Sequence, residues 1–120
     1  MAAVTSVALK LLVLKTLNLE RLLAFYGAIG IEFREEQHGK GPLHYAGTIG
    51  DLVLELYPAA VDSSIDSATR LGFGIANLDE FLAALRLLET PIINPPQPTE
   101  WGYRAVVRDP DGRAVELYQQ

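Results

Sequence analysis

Apolar and polar positions along the 120 residues run twice through the same order: an apolar strand, a helix with one apolar stripe, then three short strands. The opening strands are Val7 to Lys15 and Leu71 to Ala76. Each leads to an asparagine suited to N-capping, Asn18 or Asn77, with acidic residues in the turn that follows. Leu19, Leu22, Leu23, Phe25 and Tyr26 form the stripe of the first helix, which Gly27 and Gly30 end; Leu78, Phe81, Leu82, Leu85 and Leu88 form that of the second. The later strands of the first copy are Ile31 to Glu36, Leu43 to Ile49 and Leu52 to Tyr57, the last two joined by the turn Gly50-Asp51. Those of the second copy are Ile92 to Asn94, Tyr103 to Arg108 and Arg113 to Tyr118, with Asp109-Pro110-Asp111-Gly112 as the turn. Pro58 to Thr69 reads as a linker and the proline-rich Pro91 to Pro98 as a surface loop.

The repeat is visible in the residues themselves. Asn18-Leu19-Glu20-Arg21-Leu22-Leu23-Ala24 resembles Asn77-Leu78-Asp79-Glu80-Phe81-Leu82-Ala83, and Gly50 to Tyr57 resembles Asp111 to Tyr118, at offsets of 59 and 61 residues. One domain, residues 1–120, is expected, with module one at 5–58, a linker at 59–69 and module two at 70–120.

Alternation along the last strand of each copy sets the faces. Leu52, Leu54 and Leu56 form the wholly apolar face that a helix must cover, so Glu55 and Tyr57 point away from it, as do Glu116 and Tyr118. With Gly50-Asp51 as the turn, Ala46 pairs with Glu55 and His44 with Tyr57, which puts His44 diagonally across from Glu55. The same argument places Tyr103 on the face of Glu116. His38, in the polar stretch Glu35 to Gly41, reads as loop.

Composition narrows the chemistry. There is no cysteine, which removes thiolate metal ligands and a cysteine nucleophile and suits a cytoplasmic protein. A net charge of −5 with scattered Lys and Arg argues against nucleic acid. No apolar stretch is long enough to cross a bilayer, and Met1 to Leu14 lacks the basic start and cleavage site of a signal peptide. No Gly-x-Ser-x-Gly elbow or glycine-rich phosphate loop is present.

Two segments carry a family resemblance. Leu23-Ala24-Phe25-Tyr26-Gly27-Ala28-Ile29-Gly30 resembles the helix ending in Phe-Tyr of the vicinal oxygen chelate superfamily, which includes glyoxalase, bleomycin-resistance proteins and extradiol dioxygenases. Asp109 to Leu117 resembles its Asp-Pro-Asp-Gly turn leading to a strand with a glutamate. The resemblance implies an α+β fold of two βαβββ modules whose mixed sheets curl around a cavity, and in metal-using members a divalent metal held from the first and last strand of each module. Glu55 and Glu116 match two ligand positions, whereas the first-strand positions fall at Leu11 and Arg70. No tightly bound metal is therefore expected, because leucine cannot ligate and two carboxylates alone make a poor transition-metal site. Arg70 would compensate the carboxylates in place of the metal, or bind an acidic ligand.

The resulting expectation is a small-molecule-binding protein with Glu55 and Glu116 as central or catalytic carboxylates and His44, Tyr57, Arg70, Trp101, Tyr103 and Tyr118 lining the ligand site. The alternatives are a glyoxalase-like lyase, isomerase or dioxygenase with Zn, Ni, Fe or Mn on Glu55, Glu116 and His44, or a metal-free enzyme in which burial raises a glutamate pKa to make a general base. A homodimer is expected, since open sheets leave edges to cover.

Overall fold

Both helices begin where the capping asparagines set them. Asn18 accepts from the backbone N–H of Arg21 and Asn77 from that of Glu80, each over 3.1 Å, so the first-turn donors are satisfied by the same device in both copies. In a computed structural model that describes residues 6–61 and 65–120, module one contains β1 (Leu11–Thr16), α1 (Leu19–Ala28), β2 (Phe33–Glu36), β3 (His44–Ile49) and β4 (Leu52–Pro58). Module two contains β5 (Leu71–Ile75), α2 (Leu78–Leu87), β6 (Ile92–Thr99), β7 (Gly102–Arg108) and β8 (Ala114–Gln119). The expected start of module one at residue 5 and linker positions 62–64 lie outside the described residues.

Each module folds into its own four-stranded sheet, ordered β1-β4-β3-β2 and β5-β8-β7-β6, with the first strand parallel to the last and the others antiparallel. The α+β architecture of paired βαβββ modules is thus observed, but the sheets do not close on one another. The Cα radius of gyration is 15.4 Å and the extents are 47 × 46 × 25 Å, against about 13.6 Å expected for a compact chain of this length.

The leucine face is the inner face. Leu54 and Leu56 are buried with Leu22, Phe25 and Tyr26 of α1 and Leu78, Leu82 and Leu85 of α2 in one core that also takes in Val115 and Leu117. Each fully buried leucine contributes roughly 1.5–3 kcal/mol, and because both helices feed one core the modules stabilise each other. Gly47 sits where β3 crosses β2. A Cβ there would lie 2.8 Å from Ile31 Cγ2 and 2.9 Å from the Glu32 carbonyl oxygen, and backbone cannot yield. Gly47→Ala is expected to cost about 1–3 kcal/mol, measured as a lowered urea midpoint with an unchanged m-value.

Three sequence expectations are corrected. The first strand begins at Leu11, not Val7, because its partner β4 starts at Leu52 and the pairing opens at Leu11 with Val53. Residues 92–99 form the edge strand β6 and not a loop: Pro95, Pro96 and Pro98 lack an N–H but lie on an edge, with register shifts between Ile92 and Gln97. The third concerns β7 and β8. Arg108 pairs with Ala114, Val106 with Glu116 and Arg104 with Tyr118, so five residues, 109–113, separate the strands. That one-residue slip turns Tyr103 to the face opposite Glu116 and puts Arg104 there instead.

Arg113, removed from the strand, is the cause. Its side chain is 1% exposed. It donates from Nη1 to Asp109 Oδ2 over 3.0 Å and Asp111 Oδ2 over 3.2 Å, from Nε to the Asp66 carbonyl over 2.9 Å, and from Nη2 to the Lys15 carbonyl over 2.7 Å. Asp109 also accepts from the Tyr26 hydroxyl over 2.8 Å, and Asp111 accepts from the Thr16 hydroxyl over 3.0 Å. Burial and the Asp109 carboxylate hold the Tyr26 phenol far above its ordinary pKa, so it remains a donor. The turn therefore ties the end of β1, helix α1 and the linker to module two.

Candidate functional site

The outer sheet faces carry the polar and aromatic side chains, in two clusters. On module one, strand pairing sets Ala46 beside Glu55, Glu36 beside His44 and Val13 beside Glu55, and the rings of His44 and Tyr57 stack at 4.1 Å between centroids. His44 is 1% exposed. Its Nδ1 lies 3.1 Å from the Pro42 carbonyl, an acceptor only, so Nδ1 carries the proton and Nε2 the lone pair. The Tyr57 hydroxyl donates to that Nε2 over 3.2 Å. Burial, then the carboxylates of Glu55 and Glu36, hold the Tyr57 phenol above its ordinary pKa, consistent with a donor. Glu36 Oε1 and Glu55 Oε2 stand 3.4 Å and 3.7 Å from the same nitrogen.

On module two, Glu116 accepts from the Tyr118 hydroxyl, from Arg70 Nε and, over 2.7 Å, from Arg104 Nη1. The Tyr118 hydroxyl foremost, then Arg70, holds the Glu116 carboxyl at about 2, well below the usual range. The metal-free enzyme reading expected a raised pKa, and Glu116 shows the reverse: it is a fixed anion and a weak base. The Arg104 guanidinium stands 5.9 Å from the ring centroids of both Trp101 and Tyr118, within cation–π range. Trp101 is 68% exposed.

Glu55, His44 and Tyr57 are thus brought together on one sheet, and Glu116, Arg70, Tyr118 and Trp101 on the other. Tyr103 is left out. His38, read from the sequence as loop, reaches the first cluster: its Nε2 is 3.7 Å from Glu36 Oε1 and its ring centroid 5.1 Å from that of His44. Sequence reasoning missed Glu36 and Arg104. Arg104 would have followed from the correct β7–β8 register; Glu36 required the register of β2 across the loop 37–43, for which no turn motif gives a guide.

Among the described residues, neither cluster lines one of the main concavities of the chain. A concavity of about 440 Å³ is lined by Asn18, Arg21, Ile65 and Asp111, away from both carboxylates. The four positions at which the resemblance implies a metal do not suit one: Leu11 has no donor atom, and Glu116 already pairs with two guanidinium groups.

The model of the Glyoxalase/Bleomycin resistance protein/Dioxygenase superfamily matches residues 9–117. The chain belongs to that superfamily. Among solved structures, the superfamily fold recurs in hypothetical protein SA1046 from S. aureus at 15% identity, covering 96% of this chain and 98% of that one with a TM-score of 0.74. It recurs in TnmS3, an antibiotic binding protein from Streptomyces sp. CB03234, at 22% identity, 96% and 98% coverage and a TM-score of 0.74. A fosfomycin resistance protein, FosX from Mesorhizobium loti, matches at 18% identity, 98% and 94% coverage and a TM-score of 0.64. No curated protein sequence matches the chain. Among the described residues, no helix is long and apolar enough to cross a membrane.

Proposed function

We propose that this superfamily member is a small-molecule-binding protein, acting without metal at the superfamily's ligand positions, whose ligand is a planar aromatic anion held on the outer face of module two. One observation carries the reading: the carboxylate at the superfamily position, Glu116, is tied up by Arg70, Arg104 and Tyr118, with Arg104 against the two aromatic rings. Two guanidinium groups against one carboxylate leave a net positive charge beside Trp101 and Tyr118, which suits stacking of a flat ring that carries an acidic substituent. TnmS3, an antibiotic binding protein of the same fold, supports a small-molecule ligand.

An open face binds weakly, so a second copy of the chain is the natural cover. Leu11 and Val13, 52% and 39% exposed on edge strand β1, support a homodimer. The absence of cysteine supports the cytoplasm as compartment.

Trp101 is the sole tryptophan, so tryptophan fluorescence, excited beyond tyrosine absorption, reports on this face alone. Titration with anthraquinone-2-sulfonate is expected to quench it saturably, and Arg104→Ala to raise the apparent Kd at least tenfold. Linear, unsaturable quenching, or an equal Kd in Arg104→Ala, would sink the reading.

A further inference from the structure

We infer that the outer face of module one is a binding site for a divalent transition-metal ion, held by Glu36, His38 and His44, with Glu55 beside them. This site uses β2, the loop after it and β3, not the first-strand and last-strand pairs at which the superfamily resemblance implies a metal.

Three observations carry it. The first is spacing. One ligand atom from each of Glu36, His38 and His44 lies within 4.8 Å of the others, and the closest separations are 3.4 Å from Glu36 Oε1 to His44 Nε2 and 3.7 Å to His38 Nε2. These exceed the 2.7–3.2 Å of N–H···O hydrogen bonds. Metal–ligand bonds of 2.0–2.2 Å in a tetrahedron set neighbouring ligand atoms roughly 3.3–3.6 Å apart, so an ion fits with small adjustments. The second is the tautomer. The Pro42 carbonyl accepts a hydrogen bond from Nδ1–H of His44, which leaves the Nε2 lone pair facing the carboxylates, the arrangement in which a backbone carbonyl orients a ligating imidazole. The third is the division of labour at Glu36. Arg34 Nε donates to Oε2 over 2.9 Å, which fixes the carboxylate with Oε1 toward both imidazoles.

The donor set selects the metal class. Two imidazoles with a carboxylate suit zinc, nickel, cobalt or copper, and are a poor match for magnesium or calcium, which prefer all-oxygen shells. Three ligands from this cluster leave a fourth position for water, with the Glu55 carboxylate, whose Oε2 is 3.7 Å from His44 Nε2, as a neighbouring charge. Tyr57 donates to the same Nε2 and must swing its hydroxyl away when the ion enters, which gives the site a second readout.

The test is cobalt(II) chloride added to metal-free protein at pH 7.5, followed by visible absorption and by equilibrium dialysis with elemental analysis. One equivalent bound, with the intense d–d bands of a four-coordinate ion, is expected. His38 is largely exposed, so His38→Ala should fold as the wild type does and weaken binding at least tenfold; Glu36→Gln should do the same. Glu116→Gln should leave binding within twofold, because that carboxylate is on the other sheet. No stoichiometric binding, or unchanged binding in both His38→Ala and Glu36→Gln, would overturn the inference. Loss in Glu116→Gln alone would also overturn it, by moving the ion to module two. Fluorescence titration of Trp101 reads the other face, so the failure of one proposal is separable from that of the other.

Discussion

Arg113→Met is expected to destabilise the chain by about 3–5 kcal/mol, the cost of leaving a buried carboxylate unpaired. The substitution keeps the unbranched stem but not the end of the guanidinium, so the loss combines charge and hydrogen bonding with a small void at a buried site. Two carboxylates, Asp109 and Asp111, would lose their common cation, and the Lys15 and Asp66 carbonyls would each lose a donor. Tyr26→Phe removes one hydrogen bond to the charged Asp109 and should cost less, about 1.5–3 kcal/mol. Urea unfolding of both variants and of the double variant provides the check. If the turn acts as one network, the double variant loses less than the sum of the singles. A loss below about 1 kcal/mol in Arg113→Met would show that the core alone holds the modules together.

Acid should destabilise the wild type in part through Glu116. Its carboxyl sits at about 2 in the folded chain against an ordinary 4.5. A depressed carboxylate pKa means stability that is complete above about pH 4.5 and disappears as pH falls toward about 2. The contribution is about 1–2 kcal/mol: the side chain of Arg70 is 57% exposed, so its share is screened, whereas that of Arg104 is only 21% exposed. Glu116→Gln is therefore expected to be less stable than wild type at pH 6, with the gap narrowing steadily between pH 4.5 and pH 2.5 in thermal melts. A gap that is constant across that window would assign the loss to packing and not to charge.

The duplication, the capping asparagines and the inward leucine face were all legible in the sequence, because each rests on a local rule. Gly50-Asp51 fixed the first hairpin, and with it the meeting of His44, Tyr57 and Glu55. The second hairpin was read one residue short because Arg113 looks like a strand residue by alternation. What takes it out of β8 is a set of partners far along the chain, at Lys15 and Asp66, and no local pattern reports them. The prolines of β6 misled for a related reason. Their rule concerns the missing N–H, and whether that matters depends on which strand lies at the edge, which is a property of the whole sheet. His38 joined the candidate metal cluster only through the pairing of Glu36 with His44, a register set across a loop.

The parallel pairing of first and last strands in each module also bears on how fast the chain folds. Leu11 must find Val53, and Leu71 must find Val115, so each sheet is completed only by closing a loop of about forty residues, a search whose entropy is spent before the contacts reward it. The hairpins β3–β4 and β7–β8 need no such search and can form early, leaving β1 and β5 as late additions on the edges. Folding should accordingly be slower than for a helical protein of equal length, and substitutions in β1 should act mainly on the rate of unfolding, those in the β3–β4 hairpin on the rate of folding.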